Sequence, residues 1–334
     1  MNATVKLEKK HFPVLLNELN SIISPLYSGT FIDCTFGQGG YTNQILKNKN
    51  NKVIALDRDK KTSINVLNFQ NKFKNNFLFK NIKFSKINTL NLENEKLKAV
   101  IFDLGYSTNQ IQDPDKGLSF NSKGKLNMQL GLNEFSAHDV INKLNSKDLE
   151  KIFKYFGEER DSKLIARKLV NKRKHKEILT EDLVDIINST KKNFTRKNKA
   201  TKVFQALRMI VNNEISELIL GLSKSCNLIS ENGVIATVTF HSIEDRICKF
   251  FFNEISNIKK VSRYLPINSI EDTPFNLIKK KPIIPTAREI EINLPSRSAK
   301  LRAVKRKGKK KVDTQFIFDK FKYLLEIENL ASKL

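Results

Sequence analysis

Three glycines stand where a buried strand is expected to turn into a helix. Gly37, Gly39 and Gly40 follow the apolar run from Thr30 to Thr35. Glycines at such a turn let the backbone approach a ligand, and the free N–H groups of the following helix favour an anionic group. The cluster therefore predicts a cofactor site, with a plain structural turn as the alternative.

A carboxylate at the end of the next predicted strand narrows the choice of cofactor. Asp57 lies 17 residues beyond Gly40, where a carboxylate can accept hydrogen bonds from ribose hydroxyls. The dinucleotide fingerprint G-x-G-x-x-G would need a third glycine where this chain has Thr42. The pattern favours an adenosyl cofactor over a nicotinamide or a flavin.

A polar segment follows the fourth predicted strand, at the edge where open sheets bind their ligands. It begins with Asp103 and contains Tyr106 and Ser107. If the cofactor donates a methyl group to an aromatic amine, the amine hydrogens need acceptors, and Asp103 can provide one. Tyr106 can stack on a base, and Ser107 is a predicted substrate contact. Alternatively, Asp103 only caps the next segment.

The segment from Thr239 to Arg246 follows the fifth predicted strand and opens onto the same edge. His241 is a candidate for polar contact with the substrate, as are Ser242 and Arg246. One histidine among carboxylates is a poor metal motif, so no metal is predicted. Ser242 and Asp245 also match a capping box for a helix predicted over residues 246–252.

A third group of candidates lies on a predicted helix. Four apolar residues form one stripe of this helix, and three polar residues form the neighbouring stripe. The apolar residues are Phe204, Leu207, Val211 and Ile215, and the polar residues are Gln205, Arg208 and Asn212. Amide and guanidinium groups suit hydrogen bonding to RNA or to a neighbouring loop, although a hydrated face is the simpler interpretation.

Short apolar runs alternate with helical stretches over the first hundred residues. Strands are predicted at residues 30–35, 52–57, 77–79 and 99–103, and again at 233–240. Their continuous apolar character indicates a parallel sheet covered on both faces. The alternation with helices predicts a doubly wound, Rossmann-like α/β fold.

The rest of the chain divides by pattern. Residues 110–218 show helical patterns without a convincing strand, which predicts an inserted all-helical domain. The predicted division is a discontinuous Rossmann-like domain at 1–110 and 218–312, an insert at 111–217 and a C-terminal amphipathic helix within 313–334. We expect loops over 257–285, an antiparallel edge strand over 288–293 and a basic run over 305–311.

Composition limits the possible partners and location. The net charge of +25 points to a polyanionic partner such as nucleic acid. Most of the 60 basic residues are Lys, however, and mutational drift of the coding sequence is an alternative explanation for part of this charge. Three widely spaced cysteines without C-x-x-C indicate free thiols in a reducing cytoplasm. No apolar stretch is long enough for a bilayer span or a secretory signal. We therefore expect a cytoplasmic protein.

Taken together, these blocks resemble the ribosomal small-subunit RNA (cytosine-N4)-methyltransferase family, known as RsmH or MraW. The resemblance runs nearly from end to end, and the order and spacing of the blocks carry it. The matching blocks are 11–18, the glycine turn, 56–59, 103–110, 156–160, 204–208 with Val211 and Asn212, 240–246 and 297–302.

The resemblance implies a class I S-adenosylmethionine-dependent methyltransferase sheet with a helical insert. The implied cofactor contacts are Gly39, Gly40, Tyr41, Asp57, Phe84, Asp103 and Gln110. The implied substrate is a cytosine in the decoding region (P-site) of 16S rRNA, free or within the small ribosomal subunit. The implied product is N4-methylcytidine, and Arg297 joins the predicted substrate contacts. Transfer is expected to be direct and in line, without a covalent enzyme intermediate.

Several positions depart from the family pattern. The segment Leu126–Gly131 has Asn127, Gln129 and Gly131 in place of two carboxylates and an arginine, Pro295 stands in place of an arginine, and Tyr41 replaces the usual histidine. Two other functions stay open: a ribosome-assembly factor that binds the cofactor without turnover, and a methyltransferase that acts on another nucleic acid. The oligomeric state, monomer or homodimer, is also left open.

Overall fold

A computed structural model of the chain describes residues 13–92, 95–106, 110–111, 113–191, 198–256 and 273–334. Its centre is a seven-stranded sheet. The strands are β1 Gly29–Asp33, β2 Asn51–Leu56, β3 Phe77–Lys80, β4 Leu97–Asp103, β5 Val234–Thr239, β6 Phe275–Leu277 and β7 Lys300–Arg306. Their order is β3-β2-β1-β4-β5-β7-β6, with β1 to β5 parallel and β7 antiparallel to β5 and β6. This confirms the doubly wound α/β fold.

The strand order places the predicted site residues at one location. Chain order runs outward from β1 through β2 to β3, and then restarts on the other side of β1 with β4 and β5. The carboxyl ends of β1 and β4 therefore flank the point at which the order reverses, where α/β sheets bind their ligands. All six residues of β5 are buried, which explains its continuous apolar character.

Helices cover the sheet and fill the long connection between β4 and β5. Before β4 they are α1 Leu16–Ile23, α2 Gly40–Ile45 and α3 Ser63–Phe73. Between β4 and β5 they are α4 Ala137–Lys143, α5 Ser146–Tyr155, α6 Ser162–Arg173, α7 Thr180–Thr190, α8 Thr201–Val211 and α9 Glu214–Leu228. After β5 they are α10 Ser242–Ser256, α11 Ala287–Ile292, α12 Gln315–Lys320 and α13 Lys322–Glu328. None of these helices has the length and apolar character that a membrane span requires within the described ranges.

The inserted helices share one hydrophobic core with the sheet. Ile32 and Val100 of the sheet belong to the same buried cluster as Ile152 and Leu207 of the insert. α9 packs closely on the sheet, because a Cβ at Gly221 would lie 3.0 Å from the Phe102 ring of β4. Because the core is shared, it marks no boundary at residues 111 and 217, and the division into separate domains there stays a prediction.

The predicted edge strand over residues 288–293 is wrong, because this segment forms helix α11. Thr286 caps the helix by accepting a hydrogen bond from the Glu289 N–H at 3.2 Å. Glu289 in turn accepts the Leu15 N–H at 2.8 Å, which ties the helix to the start of the chain. The strand antiparallel to β5 is β7, whose end overlaps the predicted basic run, and β6 forms this edge of the sheet.

Two further helix predictions need correction. α10 begins at Ser242, not near Arg246, and the proposed capping box is absent because Ser242 is already helical and donates to Glu158 at 3.0 Å. Asp245 instead forms ion pairs with Lys300 and Arg302 of β7 at 2.8 and 2.7 Å. The predicted C-terminal helix is divided near Phe321 into α12 and α13.

Candidate active site

The glycine turn between β1 and α2 is fixed by a buried carboxylate. Asp33 accepts hydrogen bonds from the Thr42 hydroxyl at 2.7 Å and the Thr35 N–H at 3.2 Å. Gly39 has a φ of 75°, and a Cβ there would lie 2.5 Å from the Phe69 ring. Glycine is therefore required at Gly39 for conformation and close packing.

Asp57 joins this turn to the end of β2. Its two carboxylate oxygens accept the N–H groups of Gly37 and Asp59, each at 2.8 Å. Burial raises the pKa of Asp57 to about 6. Each oxygen keeps a further lone pair, so the carboxylate can still accept hydrogen bonds from a pair of hydroxyls.

Asp103 ends β4, beside the glycine turn. Its N–H donates to the Thr35 hydroxyl at 2.8 Å, which holds β4 and the turn together. Its Oδ1 is buried and has no hydrogen-bond partner among the described residues. Burial, assisted by the charge of Asp33, raises the pKa of Asp103 to about 7. A buried acceptor without a partner at a ligand edge is poised to bind a donor from a ligand.

Tyr106 lies at the mouth of the site with its ring 42% exposed. The Arg208 guanidinium lies over the ring, 4.5 Å from its centroid. Glu214 holds this guanidinium by two hydrogen bonds, from Nε at 2.7 Å and from Nη2 at 2.8 Å. Burial lowers the pKa of Arg208, but the charges and hydrogen bonds of its neighbours, with Glu214 the largest contributor, together raise it by more, so the group stays cationic. The result is a rigid aromatic platform backed by a positive charge.

His241 lies behind this platform. Its Nε2 is 3.0 Å from Glu244 and 4.0 Å from Glu214. These three residues are the group that could hold a metal ion in the part of the chain that the structure describes. Both oxygens of Glu214 already accept hydrogen bonds from Arg208, whose positive charge opposes a cation. We therefore assign no metal to them.

One cleft gathers most of the predicted residues. Its wall includes ten of them: Gly37, Gly40, Tyr41, Asp57, Phe84, Asp103, Tyr106, Gln110, Arg208 and Asn212. Phe84 packs edge-on against Phe102 at 5.4 Å, and the Gln110 amide donates to Asp59 at 2.9 Å. The Tyr41 hydroxyl donates to the Val14 carbonyl. Cofactor and substrate candidates thus face one continuous space.

Other predicted residues that the structure describes do not line the cleft. They are Gly39, Gln205, His241, Ser242, Arg246 and Arg297. Gln205 donates to the Phe156 carbonyl at 3.1 Å, so its amide stabilises a turn of the insert. Ser242 and Arg246 both contact Glu158, at 3.0 and 3.5 Å. Ser107 lies outside the described residues.

Besides Lys83, four charged residues of the cleft wall were not singled out by the sequence analysis. They are Arg58, Glu214, Glu217 and Glu244. Arg58 follows Asp57 directly, and this position next to a predicted cofactor contact was the sequence feature that could have predicted its place in the cleft wall. Its Nε and Nη1 donate to the Gly131 and Asn212 carbonyls, both at 2.7 Å, and so connect the sheet to the insert. The three glutamates reach the cleft through helix packing, which no local sequence motif predicts.

Asn212 fixes the segment that departs from the family pattern. Its side chain accepts the Leu130 N–H at 2.9 Å and donates to the Met128 carbonyl at 2.8 Å. Asn127 and Gln129 bind nearby backbone carbonyls, of Asp115 and Phe135. Neither side chain lines the cleft.

Comparison with known proteins decides the family. The sequence model of the MraW methylase family matches residues 8–307. The chain belongs to this family. It is a methyltransferase, and S-adenosylmethionine is its methyl donor.

Similar proteins cover almost the whole chain of this MraW methylase. Ribosomal RNA small subunit methyltransferase H of Rickettsia bellii is 37% identical over 309 residues, which is 90% of this chain and 100% of that protein. The protein of the same name from Ehrlichia canis is 38% identical, over 88% of this chain and 99% of that protein. The structure of an rRNA methylase from Streptococcus thermophilus aligns over 89% of this chain and 99% of that chain, at 9% identity and a TM-score of 0.36.

Gly131 is the departure from the family pattern that the backbone explains. Its φ is 124°, and a Cβ there would lie 2.2 Å from the Arg58 carbonyl oxygen. With this backbone a carboxylate side chain cannot fit at the position. Glycine at this position allows close contact between the insert and the loop after β2.

Proposed function

We propose that this MraW methylase transfers a methyl group from S-adenosylmethionine to the exocyclic N4 amine of a cytidine in 16S rRNA of the small ribosomal subunit, in the decoding region. The support comes from the similar proteins and from the geometry of the cleft. The single observation that carries the proposal is the buried Oδ1 of Asp103, beside the exposed residue Tyr106. This oxygen has no hydrogen-bond partner among the described residues.

The cofactor end of the cleft fits an adenosyl group. The Asp57 carboxylate retains acceptor capacity for the two ribose hydroxyls, and the Phe84 ring offers an apolar surface to adenine. Glu217 lies at the same end and accepts the Ser85 hydroxyl at 2.9 Å. When bound, the cofactor supplies an electrophilic methyl group on a positively charged sulfur.

At the reaction end, the protein supplies an acceptor and a platform. In the proposal, Asp103 accepts an N–H of the cytosine amine, which keeps the nitrogen lone pair free for the methyl carbon. In the proposed reaction the carbon–sulfur bond of the bound cofactor would break as the carbon–nitrogen bond forms, and Asp103 would receive the proton that the amine loses. Tyr106, backed by Arg208, stacks on the flipped base.

The departures at Asn127, Gln129 and Gly131 motivated the alternative of an assembly factor without turnover. Their contacts are internal to the loop or reach Arg58, and none of the three lines the cleft. The acceptor, the platform and the glycine turn are all present. These observations favour an active enzyme.

The test uses purified protein, S-adenosylmethionine and small subunits that lack the modification. Mass spectrometry of the rRNA nucleosides should show N4-methylcytidine. The Asp103→Asn variant, which keeps the shape of the side chain, is the matched control and should give far less product. Calorimetric cofactor binding with no product would favour the assembly factor. Product on duplex DNA, and none on subunits, would favour the other nucleic acid.

A further inference from the structure

The C-terminal segment lies outside the region that the family model matches, which ends at residue 307. It is nevertheless packed into the protein. The side chains that it buries are Ile317, Phe321, Leu324, Ile327 and Ala331. Polar contacts precede them, since Asn227 of α9 exchanges two hydrogen bonds with the Val312 backbone, at 3.0 and 3.2 Å. The segment is therefore part of the folded structure.

This segment touches both the sheet side and the inserted helices. Phe321 packs edge-on against Phe250 of α10, with ring centroids 5.6 Å apart. Tyr323 packs edge-on against Tyr155 of α5 at 5.9 Å. One C-terminal element thereby contacts helices from different parts of the chain, among them α10, which carries Glu244 of the cleft wall.

Glu328, at the end of α13, caps the first turn of α9. Its Oε1 accepts the Ile215 N–H at 3.0 Å, and its Oε2 accepts the Ser216 N–H at 2.9 Å. The first amides of a helix have no partner within the helix, and negative charge is favourable there. The local residue Asn213 has a φ of 51° and makes no side-chain cap with a described residue. The cap comes instead from a residue 113 positions away.

The capped turn carries two residues of the cleft wall. Glu214 holds Arg208 beneath the Tyr106 platform, at 2.7 and 2.8 Å. Glu217 accepts the Ser85 N–H at 3.2 Å, next to the proposed adenine surface. A displacement of this turn would move the support of the platform.

We propose that Glu328 is a positioning residue for methyl transfer, which acts through Glu214 to set the Arg208–Tyr106 platform. The inference rests on the proposed function, because the platform matters only if a base is methylated on it. It assigns a role in the reaction to a segment that lies beyond the matched family region.

A double-mutant cycle in the full-length protein tests this. Methylation of small subunits is measured for wild type, Glu328→Gln, Glu214→Gln and the double variant at about pH 8, above the pKa of about 7 to which burial raises the Glu328 carboxyl. Glu328→Gln should lower kcat/KM about tenfold in wild type but less than about twofold in Glu214→Gln, because residues that act through one another are not additive. Glu326→Gln, on an exposed position of the same helix, is the matched control and should match wild type.

A merely structural role would lower the folded fraction by the same factor in both backgrounds. Equal losses in the two backgrounds would therefore overturn the inference. If Glu328→Gln does not fold in a thermal unfolding assay, Glu328→Asp, which keeps the charge on a shorter side chain, replaces it in the same cycle with the same two outcomes. Wild type that makes no product contradicts the proposed function, whereas product with additive losses contradicts only the role of Glu328.

Discussion

The two ends of the cleft are built in different ways. The cofactor end comes from adjacent parallel strands and the turns that follow them, and backbone N–H groups such as that of Gly37 complete it. The platform end joins Tyr106, which follows β4, to Arg208 and Glu214 of the insert, about a hundred residues later. The first end depends on backbone geometry that the sheet enforces, and the second on side chains that helix packing brings together.

This difference predicts how each end responds to substitution. Changes at the cofactor end should weaken cofactor binding. Changes at the platform should spare the cofactor and affect the RNA. Asp103 lies between the two ends and should affect the chemical step.

The largest effect is expected for Asp103→Asn. The amide replaces one acceptor oxygen with a donor and cannot take a proton, so kcat should fall by about 10²-fold or more. Cofactor affinity, measured by calorimetry, should change much less than kcat. A variant with wild-type turnover in a single-turnover methylation assay would remove Asp103 from the reaction.

Asp57→Ala should act on the cofactor. It removes an acceptor for ribose hydroxyls and leaves the Gly37 N–H without its partner. Kd for S-adenosylmethionine should therefore rise about 10- to 100-fold, which corresponds to a net loss of roughly 1.4–2.8 kcal/mol of binding free energy. Asp185→Ala, exposed on α7, serves as the control. An unchanged calorimetric Kd would show that the cofactor lies elsewhere.

Arg208→Lys should act on the RNA. Lysine keeps the charge but cannot reproduce the two hydrogen bonds to Glu214 or the planar contact with Tyr106, so we expect KM for small subunits to rise about tenfold with cofactor Kd unchanged. Gln205→Ala, on the same helix but away from the cleft, should change KM less than about twofold. Equal effects of the two substitutions would mean that the cleft wall does not define the RNA site.

The mildest perturbation is a change of pH, which alters only protonation. Burial raises the pKa of Asp103 to about 7, so below that pH the carboxyl is protonated and cannot receive the proton that the amine loses. We therefore expect kcat/KM to rise with pH up to about 7 and then level off, with a loss of about tenfold per unit on the acid side. A rate profile from pH 5 to 9 checks this. Because the pKa of Glu328 is raised to a similar value, the profile is compared in the Glu328→Gln background, where Asp103→Asn should remove the acid limb. If the acid limb persists in that variant, another group, such as Asp57, is responsible.

The fold and the cofactor end were predictable from local sequence. Continuous apolar strands, the glycine turn and carboxylates at strand ends are local features, and parallel strands bring their carboxyl ends to one edge whatever lies between them. The same reasoning failed over residues 288–293, where a period-two pattern favoured a strand. There the Thr286 cap and the contact of Glu289 with Leu15 stabilise a helix instead.

The sequence by itself determined the α/β fold, the family and the acids and glycines of the proposed cofactor end. Each of these depends on short stretches of contiguous residues with a fixed period or spacing. Only the tertiary structure decided that Glu214, Glu217 and Glu244 line the cleft, that Gln205 and Arg246 do not, and that Glu328 caps α9. The physical reason is that helix packing depends on the fit of whole surfaces. The partners in that fit are far apart in the sequence, as Glu328 and Ile215 are at 113 positions.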